Sequence, residues 1–290
     1  MNLSEFERFR KETHKTVRTL TSIGVTFFIT SIILFPILGS TNNEEFIFMA
    51  ILTLIGGIIL LVLAAINFNK FKKRFKSEIL SVYMKDNYDN LKYDHNRGLD
   101  RSTIYRSGLL RKPDRFNSED LITGEYKGIH FNVSDCHLED ESTDSEGNTT
   151  YSTYFRGRYF IFNFNKNIKQ ILRAGEGRLS DTRGLEKVET ESIMLTKKFK
   201  IYCDDANYVF KFFTPVIIEK LVELEAKYRG GIYLYLHGNE MHFALNDGKD
   251  YMEISLRKEL NKESLIAIDN QINMIYELID MFKLDSEKFN

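Results

Sequence analysis

Two long runs without charge stand out in the first quarter of the chain. Residues 19–43 and 46–69 contain no Asp, Glu, Lys or Arg, and both are dense in Ile, Leu, Val and Phe. A helix of about 20 apolar residues crosses the ~30 Å hydrocarbon core of a bilayer, so each run is long enough to span. The pattern predicts a transmembrane helical hairpin over residues 19–69, with spans at about 20–39 and 46–68.

A signal peptide and a soluble core helix both fit these runs less well. A cleaved signal peptide has an apolar core of about 7–15 residues, which is shorter than the first run, and here a second run follows at once. A helix of a soluble protein keeps a polar stripe, and residues 51–65 have almost none.

Basic residues flank the predicted hairpin on both sides, and they set its predicted orientation. The short connection between the spans carries only Glu44 and Glu45. Because Lys and Arg collect on the cytoplasmic side, both termini are expected in the cytoplasm, as in a multi-pass membrane protein. The basic residues before the first span are Arg8, Arg10, Lys11, Lys15 and Arg18.

A basic segment directly follows the second span. Its residues are candidates for contact with lipid headgroups, since each basic group near an anionic surface contributes about 1 kcal/mol. The alternative is that they only fix the topology of the hairpin. The five residues of this segment are Lys70, Lys72, Lys73, Arg74 and Lys76.

The residues outside the hairpin are predicted to form an N-terminal segment, a helix with a hinge, and a soluble domain. Residues 1–18 are predicted as a cytoplasmic N-terminal segment. Helical spacing of apolar residues continues to about residue 86, and a polar stretch follows, so residues 70–100 are predicted as a juxtamembrane helix and hinge. Residues 101–290 are predicted as the cytoplasmic domain.

Alternating apolar residues predict a mostly antiparallel sheet in this domain. Two helices accompany it, one from the Thr214-Pro215 cap to Gly230 and one over residues 262–282. The class is therefore α+β. Strands are predicted around residues 129–133, 159–166, 193–196, 199–203, 208–213, 232–236, 241–245 and 251–256, with a hairpin turn at 237–240.

An acidic stretch, residues 138–151, is predicted as a long hairpin tip between two strands. It is either a docking loop for a partner or a solvated loop, and its sequence does not decide between them.

Composition narrows the classes of function. Lys and Arg total 40 against 41 for Asp and Glu, a net charge of −1, so a nucleic-acid partner is not expected. The two cysteines cannot form a disulfide framework or a four-thiolate zinc site.

Candidate reactive residues do not assemble into a recognisable site. His130 and Cys136 share a strand face but are too far apart to hold a metal together, and His237 and His242 could meet only across a hairpin. The Gly175-Glu176-Gly177 segment and Asp204 are explained as loop and turn residues. No catalytic, cofactor or metal site is therefore predicted.

Several segments resemble a known family. Residues 107–116, 155–166, 199–205 and 277–284 are similar, in this order, to the bacterial domain-of-unknown-function family 3137. The resemblance covers roughly residues 70–285, and it rests on turn glycines, strand aromatics and a helix cap. It implies a bacterial inner-membrane protein, sometimes encoded near LemA-type membrane proteins, and it brings no activity or catalytic residues.

The leading functional hypothesis is a non-enzymatic membrane protein. It would present a cytoplasmic recognition or scaffold domain to a protein partner, lipid headgroups or a second copy of itself, with the lipid bilayer as its constant partner. One alternative is a membrane-tethered enzyme or small-ligand sensor with a cryptic site, which could include Cys136, His130 or Asp204. Another is an oligomeric effector that perturbs the membrane.

Overall fold

A computed structural model describes residues 3–41 and 44–286. The chain divides into two compact units. The first, called the hairpin unit, comprises residues 1–82 and 253–267; the second, called the sheet unit, comprises residues 83–252 and 268–290.

Two long apolar helices build the hairpin unit. Helix α1 is Leu3–Thr41 and helix α2 is Glu44–Arg74, and α2 continues through a π-helical turn, Phe75–Leu80, into α3, Ser81–Asn87. Both are long and apolar enough to cross a membrane. The predicted N-terminal apolar helical pair is confirmed, and helical structure continues past the second charge-free run to Asn87.

The two helices approach closely at glycines. A Cβ atom on Gly57 would lie 3.0 Å from the carbonyl oxygen of Gly24, and one on Gly56 would lie 3.3 Å from Phe27. Small residues at a helix crossing allow this backbone approach. Nearer the N-terminus, Phe6 packs on Phe71, with ring centroids 5.6 Å apart.

The outer faces of these helices expose large apolar side chains. Ile32 is 56% exposed, Phe48 67% and Leu52 60%, and exposed Ile, Leu, Val and Phe occur from Ile23 to Ile33 and from Ile47 to Ile66. A contiguous apolar surface of this kind marks an interaction with lipid or with another protein.

The sheet unit contains seven strands in the order β1-β2-β3-β4-β6-β5, and β7 also pairs with β4. Every pairing is antiparallel, which confirms the predicted sheet and the α+β class. The strands are β1 Leu91–Asp94, β2 Arg115–Tyr126, β3 Ile129–Thr143, β4 Thr149–Gly175, β5 Glu186–Val188, β6 Lys200–Cys203 and β7 Gly231–Asn246. Strand β1 lies within the stretch predicted as a hinge.

The two predicted helices are α7, Pro215–Tyr228, and α8, Lys262–Phe282. Thr214 caps α7, since its side chain accepts a hydrogen bond from the Ile217 amide. Three short helices accompany them: α4 Arg101–Arg106, α5 Ile193–Lys198 and α6 Ala206–Phe212.

Two of the predicted strands are helices instead: residues 193–196 lie in α5 and residues 208–212 lie in α6. The Ser192 side chain accepts a hydrogen bond from the Leu195 amide, and that of Asp205 accepts one from the Asn207 amide. Each is an N-cap contact, which satisfies an otherwise unpaired amide of the first turn. The apolar spacing of these short segments fits either a helix or a strand, and the caps favour the helix.

The hairpin predicted at residues 237–240 was also wrong. Strand β7 continues through them, and Gly238, at φ 62°, pairs with Ile168 of β4 where the register shifts. The long β4 partners both halves of β7, so the chain does not reverse at the glycine. Residues 251–256, predicted as a strand, lie outside the sheet.

The acidic stretch at 138–151 does join two strands, but its loop is shorter than predicted. Strand β3 continues to Thr143 and β4 begins at Thr149. Within the turn, the Asp144 carboxylate accepts hydrogen bonds from the amides of Glu146 and Asn148 at 2.9 and 2.8 Å. These contacts shape a tight turn.

Both faces of the sheet are covered. On one face Tyr276 and Phe282 of α8 pack against Phe131 and Phe243, with centroids 6.3 and 6.1 Å apart. On the other face lies a cluster that includes Leu99, Ile104, Leu109, Leu110, Cys136, Leu138, Phe155, Tyr159 and Ile161. Burial on both faces places the sheet at the centre of its unit.

Candidate functional site

The basic segment after α2 is partly used in ion pairs within the hairpin unit. Lys72 and Lys76 each lie 3.0 Å from a carboxylate oxygen of Glu253. Arg74 lies 2.7 Å from Glu78. The remaining two predicted headgroup contacts, Lys70 and Lys73, are exposed.

Glu253 begins a segment, residues 253–260, that lies against the two helices; we call it the strap. The Arg10 guanidinium donates a hydrogen bond to the Leu256 carbonyl, and Glu7 accepts one from the Leu260 amide at 3.0 Å. Arg10 also pairs with Glu7 at 2.7 Å, which lowers the pKa of that carboxyl. Leu256 and Leu260 are buried. The strap is therefore held by both polar and apolar contacts.

A cavity of about 670 Å³ opens between the strap and the helices. Its polar lining includes His14, Arg18 and Arg257, together with the hydroxyl side chains of Ser22 and Ser255. Its apolar lining includes Val17, Phe68 and Leu256. Sequence reasoning missed this site, since Arg257 lies more than 200 residues from the helix that it joins.

The histidines and cysteines singled out from the sequence do not converge. His130 is exposed beside Glu125 at 3.3 Å, whereas Cys136 is buried among Ser118 and Ser134. Burial raises the pKa of the Cys136 thiol to about 12, so it stays protonated and is a poor nucleophile. The His237 ring lies 3.2 Å from the Gln170 carbonyl oxygen.

The two remaining candidates have structural roles. The Asp204 carboxylate accepts a hydrogen bond from the Ile171 amide at 2.9 Å, so it ties a loop to strand β4. Glu176 accepts one from the Ile232 amide at 3.2 Å. Each of these carboxylates therefore holds the backbone directly after a strand, Asp204 after β6 and Glu176 after β4.

A buried ion pair lies in the sheet unit between Asp135 on β3 and Arg158 on β4. The Arg158 Nε donates to Asp135 at 3.2 Å and its Nη1 donates to the Gln271 carbonyl at 3.1 Å. The Tyr251 amide donates to the second Asp135 oxygen at 2.6 Å, and the guanidinium stacks over the Tyr251 ring. Burial raises the pKa of Asp135 to about 7, while the Arg158 charge opposes that rise.

A second buried network lies on the opposite face of the sheet. The Tyr159 hydroxyl lies 3.0 Å from the Ser107 hydroxyl and 2.9 Å from Nδ1 of His242. The other ring nitrogen of His242 lies 3.3 Å from Glu240, which also pairs with Arg106 at 2.8 Å. Burial lowers the pKa of His242.

These networks bind the sheet to its surroundings. The Ser107 hydroxyl donates to the Ile104 carbonyl at 2.7 Å and is fully buried, so it has no path to a substrate. Hydrogen-bonded buried polar networks favour a unique packing, although Nη2 of Arg158 has no hydrogen-bond partner within the described residues. The sequence signal that could have identified the ion pair is Arg158 itself, a charge within a run of strand aromatics.

Comparison with known proteins gives one family and one distant structure. No curated protein matches the sequence significantly. The crystal structure of the mycobacterial trehalose monomycolate transport factor A, TtfA, superposes with a TM-score of 0.39 and 5% sequence identity, over 69% of this chain and 92% of that chain. This similarity is too low to carry a conclusion about function.

The profile of the family described as protein of unknown function DUF3137 matches residues 153–284. The match extends from strand β4 to the end of α8 and includes three of the segments on which the resemblance was predicted. Residues 153–284 are therefore similar to the DUF3137 family, which confirms over this stretch the resemblance predicted from the sequence.

Proposed function

We propose that this chain is a two-pass protein of the bacterial inner membrane that presents its sheet unit to the cytoplasm as a recognition or scaffold domain. The observation that carries the proposal is the exposed apolar surface of α1 and α2, from Ile23 to Ile33 and from Ile47 to Ile66. Removing apolar surface from water is favourable by about 25 cal/mol per Å², so these helices are more stable in lipid than in water.

Charge supports the orientation. Lys and Arg flank the helix pair at residues 8–18 and 70–76, while the only charges between the two apolar runs are Glu44 and Glu45. The positive-inside rule then gives two cytoplasmic termini.

The placement of the reactive side chains supports recognition over catalysis. Cys136, His242 and Ser107 are each buried and hydrogen-bonded within the described sheet unit. A nucleophile or general base must reach its substrate. The partner is proposed to be a protein or a lipid headgroup.

Cysteine labelling in intact cells tests the topology. Both native cysteines are buried, so their background labelling should be low. Asn42→Cys, which lies between the two helices in the sequence, should react with a membrane-impermeant maleimide added outside. Lys15→Cys and Lys283→Cys should react only after the membrane is opened.

Labelling of Lys283→Cys in intact cells would contradict the orientation, and extraction of the chain from membranes without detergent would contradict the span. For recognition, the test is crosslinking in membranes together with liposome binding. If no partner is captured and neutralising Lys70 and Lys73 leaves liposome binding unchanged, the recognition role is refuted.

A further inference from the structure

The cavity between the strap and the helices carries unpaired positive charge. Arg18 and Arg257 line it and are exposed, and neither has a carboxylate within ion-pair distance in the described part of the chain. Nearby basic groups differ, since Arg10, Lys72 and Lys76 are all held by Glu7 or Glu253. Arg18 and Arg257 are thus two positive charges without a carboxylate partner that line the same cavity.

Contacts within the hairpin unit fix the backbone position of Arg257. The Arg257 amide donates to the Ser255 hydroxyl at 3.3 Å, and the adjoining Leu256 is buried and bound to Arg10 through its carbonyl. The two lysines on Glu253 hold the other end of the strap. Because the backbone of Arg257 is held in place, binding of a ligand there does not have to order the strap and costs less conformational entropy.

The cavity lies where the charge-free runs end. Arg18 directly precedes the first run, which begins at Thr19, and Phe68 lies in the last turn of the second. In a spanning hairpin these positions lie at the level of the lipid headgroups. A lipid bound here would place its phosphate beside the arginines and the first carbons of its acyl chains beside Phe68, which belongs to a charge-free run.

From these observations we propose that the cavity binds the phosphate of one anionic phospholipid. The guanidinium groups of Arg18 and Arg257 bind the phosphate oxygens, His14 and the hydroxyls of Ser22 and Ser255 supply further donors, and the apolar wall selects a lipid over a free phosphate. Arginine suits this task because its planar fork binds phosphate in a bidentate manner. The inference rests on the proposed membrane location.

Two pairs of matched variants test the site. Arg257→Gln and Lys258→Gln each remove one exposed positive charge from adjacent residues, but only Arg257 lines the cavity. Arg18→Gln and Arg8→Gln form the same kind of pair on α1, since Arg8 is exposed and does not line the cavity. The full chain in detergent micelles is mixed with equal amounts of phosphatidylglycerol and phosphatidylcholine, and native mass spectrometry counts the lipids retained on each chain.

The unaltered chain should retain one phosphatidylglycerol in preference to phosphatidylcholine. The two cavity variants, Arg18→Gln and Arg257→Gln, should each bind it about tenfold more weakly, since a charge-assisted hydrogen bond is lost. The two control variants, Arg8→Gln and Lys258→Gln, should bind it as the unaltered chain does. Unchanged thermal melting of all four variants would show that folding is not the cause.

Three results would overturn the inference. If Arg257→Gln and Lys258→Gln lose the same affinity for phosphatidylglycerol, net charge explains the binding and a specific site does not. Equal retention of the two lipids would refute an anionic site. Complete displacement of phosphatidylglycerol by inorganic phosphate would assign the cavity to a soluble anion instead.

Failure of the membrane proposal can be distinguished from failure of the lipid site. If the membrane proposal is wrong, the unaltered chain is extracted without detergent, whatever lipid it retains.

Discussion

Removing the charge of Asp135 should strongly destabilise the sheet unit. Its partner Arg158 is fully buried, and the Asp135 carboxylate is the anionic group bound to it. Asp135→Asn keeps an oxygen for the Tyr251 amide but leaves the guanidinium charge without compensation. Breaking a buried ion pair in this way lowers the free energy of unfolding by about 3–5 kcal/mol.

The expected effect on melting follows from the size of the unit. For a domain of 150–250 residues, 1 kcal/mol shifts the melting temperature by about 2–4 °C, so the loss corresponds to about 6–20 °C. The exposed pair Arg111 and Asp140 provides the control, because Arg111 is 52% exposed. Asp140→Asn should change stability by about 1 kcal/mol or less.

The chain itself offers a probe for this measurement. It has no tryptophan, and all of its tyrosines, from Tyr83 to Tyr276, belong to the sheet unit. Near-UV circular dichroism of the full chain in detergent, measured at about pH 8 so that Asp135 is ionised, therefore follows the melting of that unit.

The double variant Asp135→Asn/Arg158→Met separates charge from packing. Since it removes both charges, it should recover most of the stability lost in the single variant. A single variant no less stable than Asp140→Asn, or a double variant as unstable as the single one, would refute the assignment of the pair as a structural element.

Three further predictions concern backbone contact, pH and the strap. Gly157→Ala should lower the melting temperature, because the new Cβ would lie 2.0 Å from the Leu245 carbonyl oxygen; Gly231→Ala, whose nearest neighbour would be 3.6 Å away, should be tolerated, and equal melting of the two would contradict this. Because burial lowers the pKa of His242 below its unfolded value of about 6.5, the stability that it contributes is present above about pH 6.5 and is lost as the pH falls. The melting temperature of His242→Gln should therefore depend less on pH below 6.5, and an unchanged slope would argue against it. Glu253→Gln should loosen the strap and speed trypsin cleavage within residues 254–260 several-fold, whereas an unchanged cleavage rate would mean that the lysine pairs do not hold it.

The sequence determined the elements whose signals are local. The charge-free runs specify the apolar helix pair, since no polar stripe is present to direct either helix into a soluble core. Thr214 and Pro215 fix the start of α7, and the spacing of apolar residues over 262–282 fixes α8. The antiparallel class followed in the same way from alternation along strands such as β3.

Tertiary structure decided where local signals were ambiguous. Residues 193–196 fit a strand or a helix by spacing, and the Ser192 cap selected the helix. The predicted turn at Gly238 does not form, because β4 is a long partner strand. Its hydrogen bonds satisfy the β7 backbone on both sides of Gly238.

The polar sites depend most on the tertiary fold. Asp135 and Arg158 lie on neighbouring strands 23 residues apart, and Arg257 reaches the cavity beside Arg18 only because the strap returns to the helix pair. Periodicity reports which face a residue occupies, but it does not report which distant residue lies opposite. Ion pairs and cavities depend on that second fact, so only the folded chain specifies them.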